Sequence, residues 1–367
     1  FNYVTINGTM EVLGKKLLYR MGGRPGLIPA AIAAVCALVG AFGAGASTPA
    51  IIGPFAFTVG LSAGISPVMI AVSIAFGNLI GTNNPYNGYG GVISKNLILD
   101  NGVAMDTAQA IGSAVWFNCS MMCILVIVLF YIFTKSYKVG KVKTEEAPAF
   151  SKVQKQSMIL ILIAFVLMIV PGLLSGFQPG NAVFKKLSAF LQPQVVMIFA
   201  SIAASILKLA PDKEVVGRVP IRTIIMISGV YMLIQVSVNA GLVDRASAFL
   251  SGSVPAAIVP GMLVLFAAIL SFFSSSTSTV MPLMYPLVPG LASGMGLNAT
   301  ALYTCIFFGG LATAISPFST GGALTLSGCP DQAVKEKLLN KMILCALVIP
   351  VITIAVAETS LFSLLSP

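Results

Sequence analysis

The stretch GNLIGTNNPYNGYGG (residues 77–91) interrupts an otherwise apolar region, and GGLATAISPFSTGGA (residues 309–323) does the same further along the chain. Both stretches combine Gly and Pro with Asn, Ser or Thr. Gly lets a helix unwind, and Pro lacks the N–H group that a helix needs. Irregular backbone at membrane depth is tolerated only where protein or a water-filled cavity surrounds it. The two stretches therefore predict two broken helices that face each other inside the protein.

Composition places the chain among integral membrane proteins. Hydrophobic residues make up 57% of the 367 residues and charged residues 9%, with a mean hydropathy of +0.97; soluble globular domains are much more polar. A membrane helix needs about 20 apolar residues, and the alternation typical of barrel strands is not visible. We therefore predict an all-α membrane protein. Its candidate helices are the runs 26–43, 65–81, 107–133, 157–175, 194–209, 223–240, 255–273 and 299–314, with a ninth at about 338–357.

The basic residues indicate orientation rather than nucleic-acid binding. The net charge is +10, but Lys and Arg are distributed among short loops. If the apolar runs alternate in direction, 17 of the 21 Lys and Arg fall on one side, in residues 11–24, 134–156, 208–222 and 331–341. The positive-inside rule makes this side cytoplasmic, which predicts an inner-membrane, multi-pass protein with a cytoplasmic loop at 134–156. The assignment requires that the polar segments near 44–64 and 274–298 re-enter the membrane and return on one side.

An internal repeat appears when the sequence is shifted against itself by 232 positions. Ile74, Phe76, Gly77, Leu79, Pro85 and Gly90 then fall on Ile306, Phe308, Gly309, Leu311, Pro317 and Gly322. The order of helix, polar hairpin, helix and broken loop recurs with them, and paired interrupted segments of opposite orientation are typical of secondary transporters. We expect a first inverted repeat at 1–133 with a hairpin at about 44–64, and a second at 157–367 with a hairpin at about 274–298. Because Phe1 aligns with the middle of the run 223–240, N-terminal helices are expected to be missing from this sequence.

The polar segments predict how a ligand is held. The N-terminus of a half-helix offers free N–H groups and a positive dipole end to an anion, whereas unwound carbonyls coordinate a hard cation such as sodium. Six hydroxyl residues in succession, Ser274 to Thr279, lie at the second hairpin. As a cluster they are expected to face a binding site. For each single hydroxyl the alternative is a bond to a local helix carbonyl.

Ionisable residues are scarce in the apolar runs. The chain has no His, and we place every Asp, Glu, Lys and Arg in a loop or near a helix end. A proton-relay antiporter usually keeps an ionisable residue at mid-membrane, so sodium is favoured over protons, although a substrate that carries its own proton stays compatible. The six Cys have no metal-ligand spacing and are predicted to be small core residues.

Three rival functions stay open. A cation/proton or arsenite antiporter would need the missing intramembrane carboxylate. An ion channel would also use carbonyl-lined loops, but two opposed hairpins predict occlusion and saturable flux. A membrane-embedded enzyme would need a nucleophile with its base or a metal cluster, and the sequence shows neither. We therefore expect a non-enzymatic carrier of a small anion, with no organic cofactor.

Two short motifs carry a resemblance. STS at 276–278 stands ten residues before Pro286, and AGA at 44–46, followed by Ser47 and Thr48, stands ten residues before Pro54. The broken helices read GTNNP at 81–85 and AISP at 314–317. In these features the chain resembles the ion transporter superfamily, in particular the divalent anion/sodium symporter family and the related malonate/dicarboxylate carrier family. Those families place a Ser-Asn-Thr motif on each hairpin, and the ending SPFSTGGAL looks especially like the dicarboxylate carriers.

The resemblance implies an elevator-type homodimer in the lipid bilayer that carries small di- or tricarboxylates with sodium. The implied substrate-binding residues are Ser47, Thr48, Asn83, Asn84, Pro85, Ser276, Thr277, Ser278, Ser316, Pro317, Ser319 and Thr320. The implied sodium-binding residues are Gly45, Gly81, Thr82, Ser275 and Ala314. Neither hairpin has the Asn of the family motif, so the identity of the substrate and the number of sodium sites stay open.

Overall fold

The computed structural model is helical throughout the residues that it describes. These residues are 2–9, 25–41, 45, 48–86, 89–138, 148–177, 182–191, 193–217, 254–272, 274–359 and 361–363, together with single positions elsewhere. All regular elements in this part of the chain are helices, which confirms the predicted all-α class. Most of the run 223–240 and part of the loop 134–156 lie outside the described residues.

Sixteen α-helices are numbered here in chain order. The first group is α1 (Asn2–Ile6), α2 (Ile28–Val39), α3 (Thr48–Ser62), α4 (Pro67–Thr82), α5 (Tyr89–Asp100) and α6 (Met105–Phe133). The middle group is α7 (Lys152–Phe177), α8 (Ala182–Phe190), α9 (Pro193–Ile206) and α10 (Asp212–Gly217). The last group is α11 (Val259–Phe272), α12 (Met281–Met284), α13 (Leu287–Met295), α14 (Ala299–Ala312), α15 (Thr320–Ser327) and α16 (Gln332–Ala357), with a π-turn at Ser276–Val280 between α11 and α12.

The described helices fit a multi-pass membrane protein. Two of them, α6 and α16, are long and apolar enough to cross a membrane. A third candidate consists of the segments Ala256–Phe272 and Ser276–Met284, which are bent by 119° at the break between them. Helices α2, α3, α4 and α14 are apolar but have 12, 15, 16 and 14 residues, fewer than the roughly 20 that a span needs. Re-entry of the bent segments into the membrane stays a prediction.

Turn geometry recurs at the shift of 232 positions. The turns after α3 and α13 each contain a glycine with positive φ, Gly64 at 75° and Gly296 at 66°, a conformation that glycine adopts without steric strain. In both turns the residue after the glycine donates its N–H to the carbonyl four positions before the glycine, at 2.9 and 3.2 Å respectively. The two parts of the chain therefore share local backbone geometry as well as the order of their elements.

Each repeated part is centred on a close pair of apolar helices, α2 with α4 and α11 with α14. Gly77 of α4 lies against Ala33 of α2, where a Cβ added to Gly77 would be 2.5 Å from the Cα of Ala33. Gly309 of α14 lies against Val264 of α11, where an added Cβ would be 2.8 Å from the Cα. Both distances are shorter than the roughly 3.5–4.0 Å of a carbon contact. The aligned glycines therefore set how closely these helices approach.

The two long helices support these pairs. Helix α6 packs against α4, α5 and α14, and α16 packs against α11, α14 and α4. The Nδ2 group of Asn118, in the middle of α6, donates to the carbonyl of Phe362 at 3.1 Å. All six Cys are buried and free, which confirms their prediction as small core residues.

Polar contacts connect the middle group of helices to α1 and the turn after it. Asn7 donates from Nδ2 to the Ser157 hydroxyl at 2.8 Å. The Asp212 carboxylate accepts hydrogen bonds from the Tyr3 hydroxyl at 2.5 Å and from the Ser205 hydroxyl at 2.8 Å. These two bonds stabilise the charged carboxylate and hold the pKa of Asp212 below its usual value.

We predict that Gly77→Ala and Gly309→Ala each lower the free energy of unfolding by about 1–3 kcal/mol, because the added methyl group meets backbone atoms of the facing helix. Thermal unfolding of the purified protein in detergent measures this. Gly217→Ala is the control, since a Cβ there would meet nothing within 4 Å. Equal melting temperatures for all three variants and the wild type would contradict the close helix contact.

Candidate functional site

The first break, between α4 and α5, is closed by Asn84. Its Nδ2 group donates to the carbonyl of Gly81 at 2.8 Å, and its Oδ1 atom accepts from the N–H of Tyr86 at 3.2 Å. Asn84 and the neighbouring Pro85 are both buried. An Asn side chain that bonds its own local backbone in this way replaces helical bonds that the break has lost. Asn84 therefore stabilises the irregular segment.

The second break, between α14 and α15, is closed by two serines. The Ser316 hydroxyl donates to the carbonyl of Phe272 at 3.0 Å and accepts from the N–H of Phe318 at 3.2 Å. The Ser319 hydroxyl lies 2.8 Å from the carbonyls of Ala314 and of Ser316, and it accepts from the N–H of Gly322 as the N-cap of α15. The hydroxyls of this break are thus already engaged with backbone groups. Pro317 is half-buried here, and Thr320 at the start of α15 is exposed.

The π-turn at 276–280 forms the tip of the second hairpin segment. Ser275 accepts from the N–H of Ser278 at 3.4 Å and caps this turn. The Ser276 hydroxyl pairs with that of Ser271 at 3.0 Å. Ser276, Thr277 and Ser278 are all buried. The tip of the predicted second hairpin is therefore an ordered and buried part of the structure.

Described residues of both predicted hairpin segments lie near the N-terminus of α5. The Asn83 side chain lies directly against Gly90, and a Cβ added to Gly90 would be 3.5 Å from the Thr277 hydroxyl of the second tip. Gly45, in the first hairpin segment, faces the neighbouring Tyr89: an added Cβ would be 3.9 Å from the Tyr89 Cβ. The first turn of α5 is therefore the place where residues from one break and from both hairpins come together.

Four buried side-chain polar atoms in the described residues have no hydrogen-bond partner: the hydroxyls of Thr48, Ser73 and Ser120 and the Nδ2 group of Asn83. Asn83 lies at this point, and Thr48 follows Gly45 by three residues in the chain; the two residues are 2% and 0% exposed. A buried polar group without a partner destabilises the folded protein by about 1–3 kcal/mol. Such atoms often mark a place where a ligand completes the hydrogen bonding.

Further bonds join the two repeated parts. Ser94 of α5 and Tyr285 share a bond between their hydroxyls at 2.8 Å. Asn101 donates from Nδ2 to the carbonyl of Tyr285 at 3.1 Å and to the hydroxyl of Tyr303 at 2.8 Å. These residues cannot be recognised from the sequence, because nothing along the chain shows that Asn101 and Tyr303 become neighbours.

Backbone contacts also cross between the two parts. Helix α15 lies against both α4 and α3. In the contact with α3, the backbone of Gly328, just after α15, meets the backbone of Gly53. Helices α4 and α15, which flank the two breaks, are therefore in contact; that the segments 77–91 and 309–323 face each other stays a prediction.

The predicted sodium-binding residues lie at the same breaks and tips. The Gly81 carbonyl accepts from Asn84, and the Ala314 carbonyl accepts from Ser319. The Thr82 hydroxyl donates to the Oδ1 atom of Asn78 at 2.8 Å. The Gly81 carbonyl also accepts from the N–H of Asn84 at 3.4 Å, so both of its lone pairs are used, whereas the Thr82 hydroxyl and the Ala314 carbonyl each keep a lone pair that suits a hard cation. The predicted residue Ser47 lies outside the described residues.

One sequence-based placement was wrong. Lys95, assigned to a loop between apolar runs, is the seventh residue of the twelve-residue helix α5 and is only 7% exposed. The glycine run before it hid the start of this helix, and Lys95 lies one helical turn beyond Gly91. A buried basic side chain is therefore present in the broken-helix region. The scarcity of ionisable residues in the apolar runs therefore does not by itself favour sodium over protons.

Residues 1–309 match the model of a family described as citrate transporter. A comparison with curated proteins finds no match. The family match agrees with the resemblance to the ion transporter superfamily. It does not confirm the narrower resemblance to the divalent anion/sodium symporters.

The neighbouring residues Asn83 and Asn84 provide a matched test of the site. Asn84→Ala removes two hydrogen bonds that close the break, and we expect it to lower the free energy of unfolding by about 1–3 kcal/mol. Asn83→Ala removes an unbonded amide group, so a much smaller loss, or a gain, is expected. Thermal unfolding of the ligand-free protein compares the two. A loss for Asn83→Ala as large as that for Asn84→Ala would show that the Asn83 amide is already satisfied.

Proposed function

The chain belongs to the citrate transporter family, whose members are secondary transporters of citrate and related carboxylates, and from this we propose that it carries small di- or tricarboxylates in symport with sodium. The family match and the apolar helices agree in making it a multi-pass membrane carrier. We propose further that it lies in the inner membrane as a homodimer, with the segment 134–156 in the cytoplasm.

One observation carries the proposal for the site: the unbonded, buried Asn83 amide beside the first turn of α5, near described residues of both predicted hairpin segments. An amide N–H group is a hydrogen-bond donor, so the partner that it lacks is an acceptor. The free N–H groups and dipole of a helix N-terminus favour an anion at the same place. A carboxylate oxygen satisfies both requirements. The Thr48 hydroxyl, also unbonded, offers a second donor in this repeat.

The second repeat is better suited to a cation. The hydroxyls of Ser316 and Ser319 donate to backbone carbonyls, so the atoms that they present to a ligand are oxygen lone pairs. Sodium requires only such neutral oxygen ligands. We therefore propose that the carboxylate is held mainly by the first repeat and that sodium is bound beside it by carbonyl and hydroxyl oxygens. Sodium neutralises part of the negative charge of the substrate and thereby couples the two gradients.

Alternating access is proposed to be of the elevator type. The helices on either side of the breaks have 8 to 16 residues and pack against one another, and the two repeated parts are joined there by the bonds of Ser94 and Asn101. Such a set of helices can move as a unit against the rest of the protein. The long helix α6 contacts this set through α4, α5 and α14.

Transport in proteoliposomes tests the proposed function. We expect saturable uptake of at least one of labelled citrate, succinate and malonate, and an inward sodium gradient should increase its rate. Liposomes without protein and a sodium ionophore are the controls. Flux that rises linearly with concentration would indicate a channel, and uptake driven by a proton gradient alone would overturn sodium coupling.

The second hairpin tip provides a test by mutation. The double variant Ser276→Ala with Thr277→Ala should reduce uptake at least tenfold, because it removes two buried hydroxyls at the site while adding no bulk. The loss of the Ser276 bond to Ser271 costs about 1 kcal/mol, so the protein should still fold, as its melting temperature will show. The matched control is Ser293→Ala with Thr359→Ala, two exposed hydroxyls that bond their own helices. Unchanged uptake by the tip variant would remove this tip from the site.

A further inference from the structure

Lys95 is a buried basic residue without a counter-ion in the described part of the chain. It lies in the middle of α5 and is 7% exposed. No described carboxylate forms an ion pair with it. Removing an ammonium group from water is costly unless an opposite charge or hydrogen bonds replace the water. The Lys95 side chain is therefore largely withdrawn from solvent without a described carboxylate to balance its charge.

The position of Lys95 on α5 places it one helical turn beyond the proposed site. Gly91, four residues earlier on the same helical face, lies against the carbonyls of Asn83 and Asn84. Helical side chains lean toward the N-terminus of their helix, and four residues correspond to about 6 Å of rise, which a Lys side chain can span. The stem of Lys95 lies on Gly112 of α6, where an added Cβ would be 3.5 Å from the Lys95 Cβ. This contact keeps the stem between the two helices.

The second repeat has no equivalent charge. The shift of 232 positions places Lys95 on Ser327, whose hydroxyl donates to the carbonyl of Leu324 in its own helix. The unbonded Asn83 amide and Thr48 hydroxyl also belong to the first repeat. The Lys95 ammonium, the Asn83 amide and the Thr48 hydroxyl can all donate a hydrogen bond to an anion. All three lie in the first repeat, although the two repeats have similar backbone geometry.

We infer that Lys95 is the counter-ion of one carboxylate of the transported anion and determines the preference for a dianion over a monoanion. This inference rests on the proposed function. A fixed ammonium neutralises one negative charge of the substrate, so one fewer cation has to bind with it. The alternative is that Lys95 buries only its aliphatic stem and extends its ammonium group to the membrane surface. The two interpretations predict opposite effects of removing the charge.

Lys95→Met tests the inference through two independent measurements. Met fits against Gly112 and removes the unpaired charge, so the melting temperature of the ligand-free protein should rise by a few degrees. In proteoliposomes the KM should rise at least tenfold for the best-transported of citrate, succinate and malonate. The preference of the wild type for that anion over its monomethyl ester should collapse. Lys95→Arg should keep the preference, and Lys337→Met, at an exposed Lys of α16, should change neither quantity.

A lower melting temperature for Lys95→Met, together with an unchanged KM and an unchanged preference for the dianion, would overturn the inference and support a packing role. Failure of Lys95→Met to fold would also overturn it, because an unpaired charge predicts a gain in stability. If the wild type carries no carboxylate at all, the proposed function fails, whereas the melting temperatures still report whether the charge of Lys95 is unpaired.

Discussion

The structure depends on one constraint: the backbone of a broken helix must find hydrogen-bond partners where there is little water. Asn84 meets this requirement at the first break, and Ser316 and Ser319 meet it at the second. Because short side chains do this work locally, the breaks are ordered without a large polar core. The same requirement explains why Asn84, Ser316 and Ser319 are buried within the protein, since lipid could not satisfy the backbone of the breaks.

The two repeated parts have similar backbone geometry but differ in their buried polar side chains. Both have glycines that bring apolar helices into close contact and turns of the same conformation. Their polar side chains differ, however: the second repeat has hydroxyls bonded to carbonyls, whereas the first has an unbonded amide, three unbonded hydroxyls and a buried Lys. In the site that we propose, the two halves therefore share backbone geometry, and a few side chains decide which charge each half can accept.

Much of the fold was predictable because it depends on local composition. The apolar runs marked the helices, and Gly and Pro marked both breaks, together with Asn at the first and Ser at the second, since these residues act on their own backbone. What the sequence could not supply was proximity across the repeats. Nothing along the chain places Tyr285 beside Ser94, or Gly328 against Gly53. Lys95 was misplaced for a different reason: the glycine run before it looks like the start of a loop, yet the packing of α5 on α6 makes it a helix.

The bonds of Asn101 to Tyr285 and Tyr303 have a mechanical consequence. The rings of Tyr285 and Tyr303, with centroids 4.7 Å apart, and the Ser94 hydroxyl add further contacts between the two repeated parts at the same point. Separating the two repeated parts would break these contacts at the same time and leave their buried polar atoms without hydrogen-bond partners. In the proposed mechanism, release of the substrate to either side therefore requires that the site as a whole moves or that a hairpin tip withdraws.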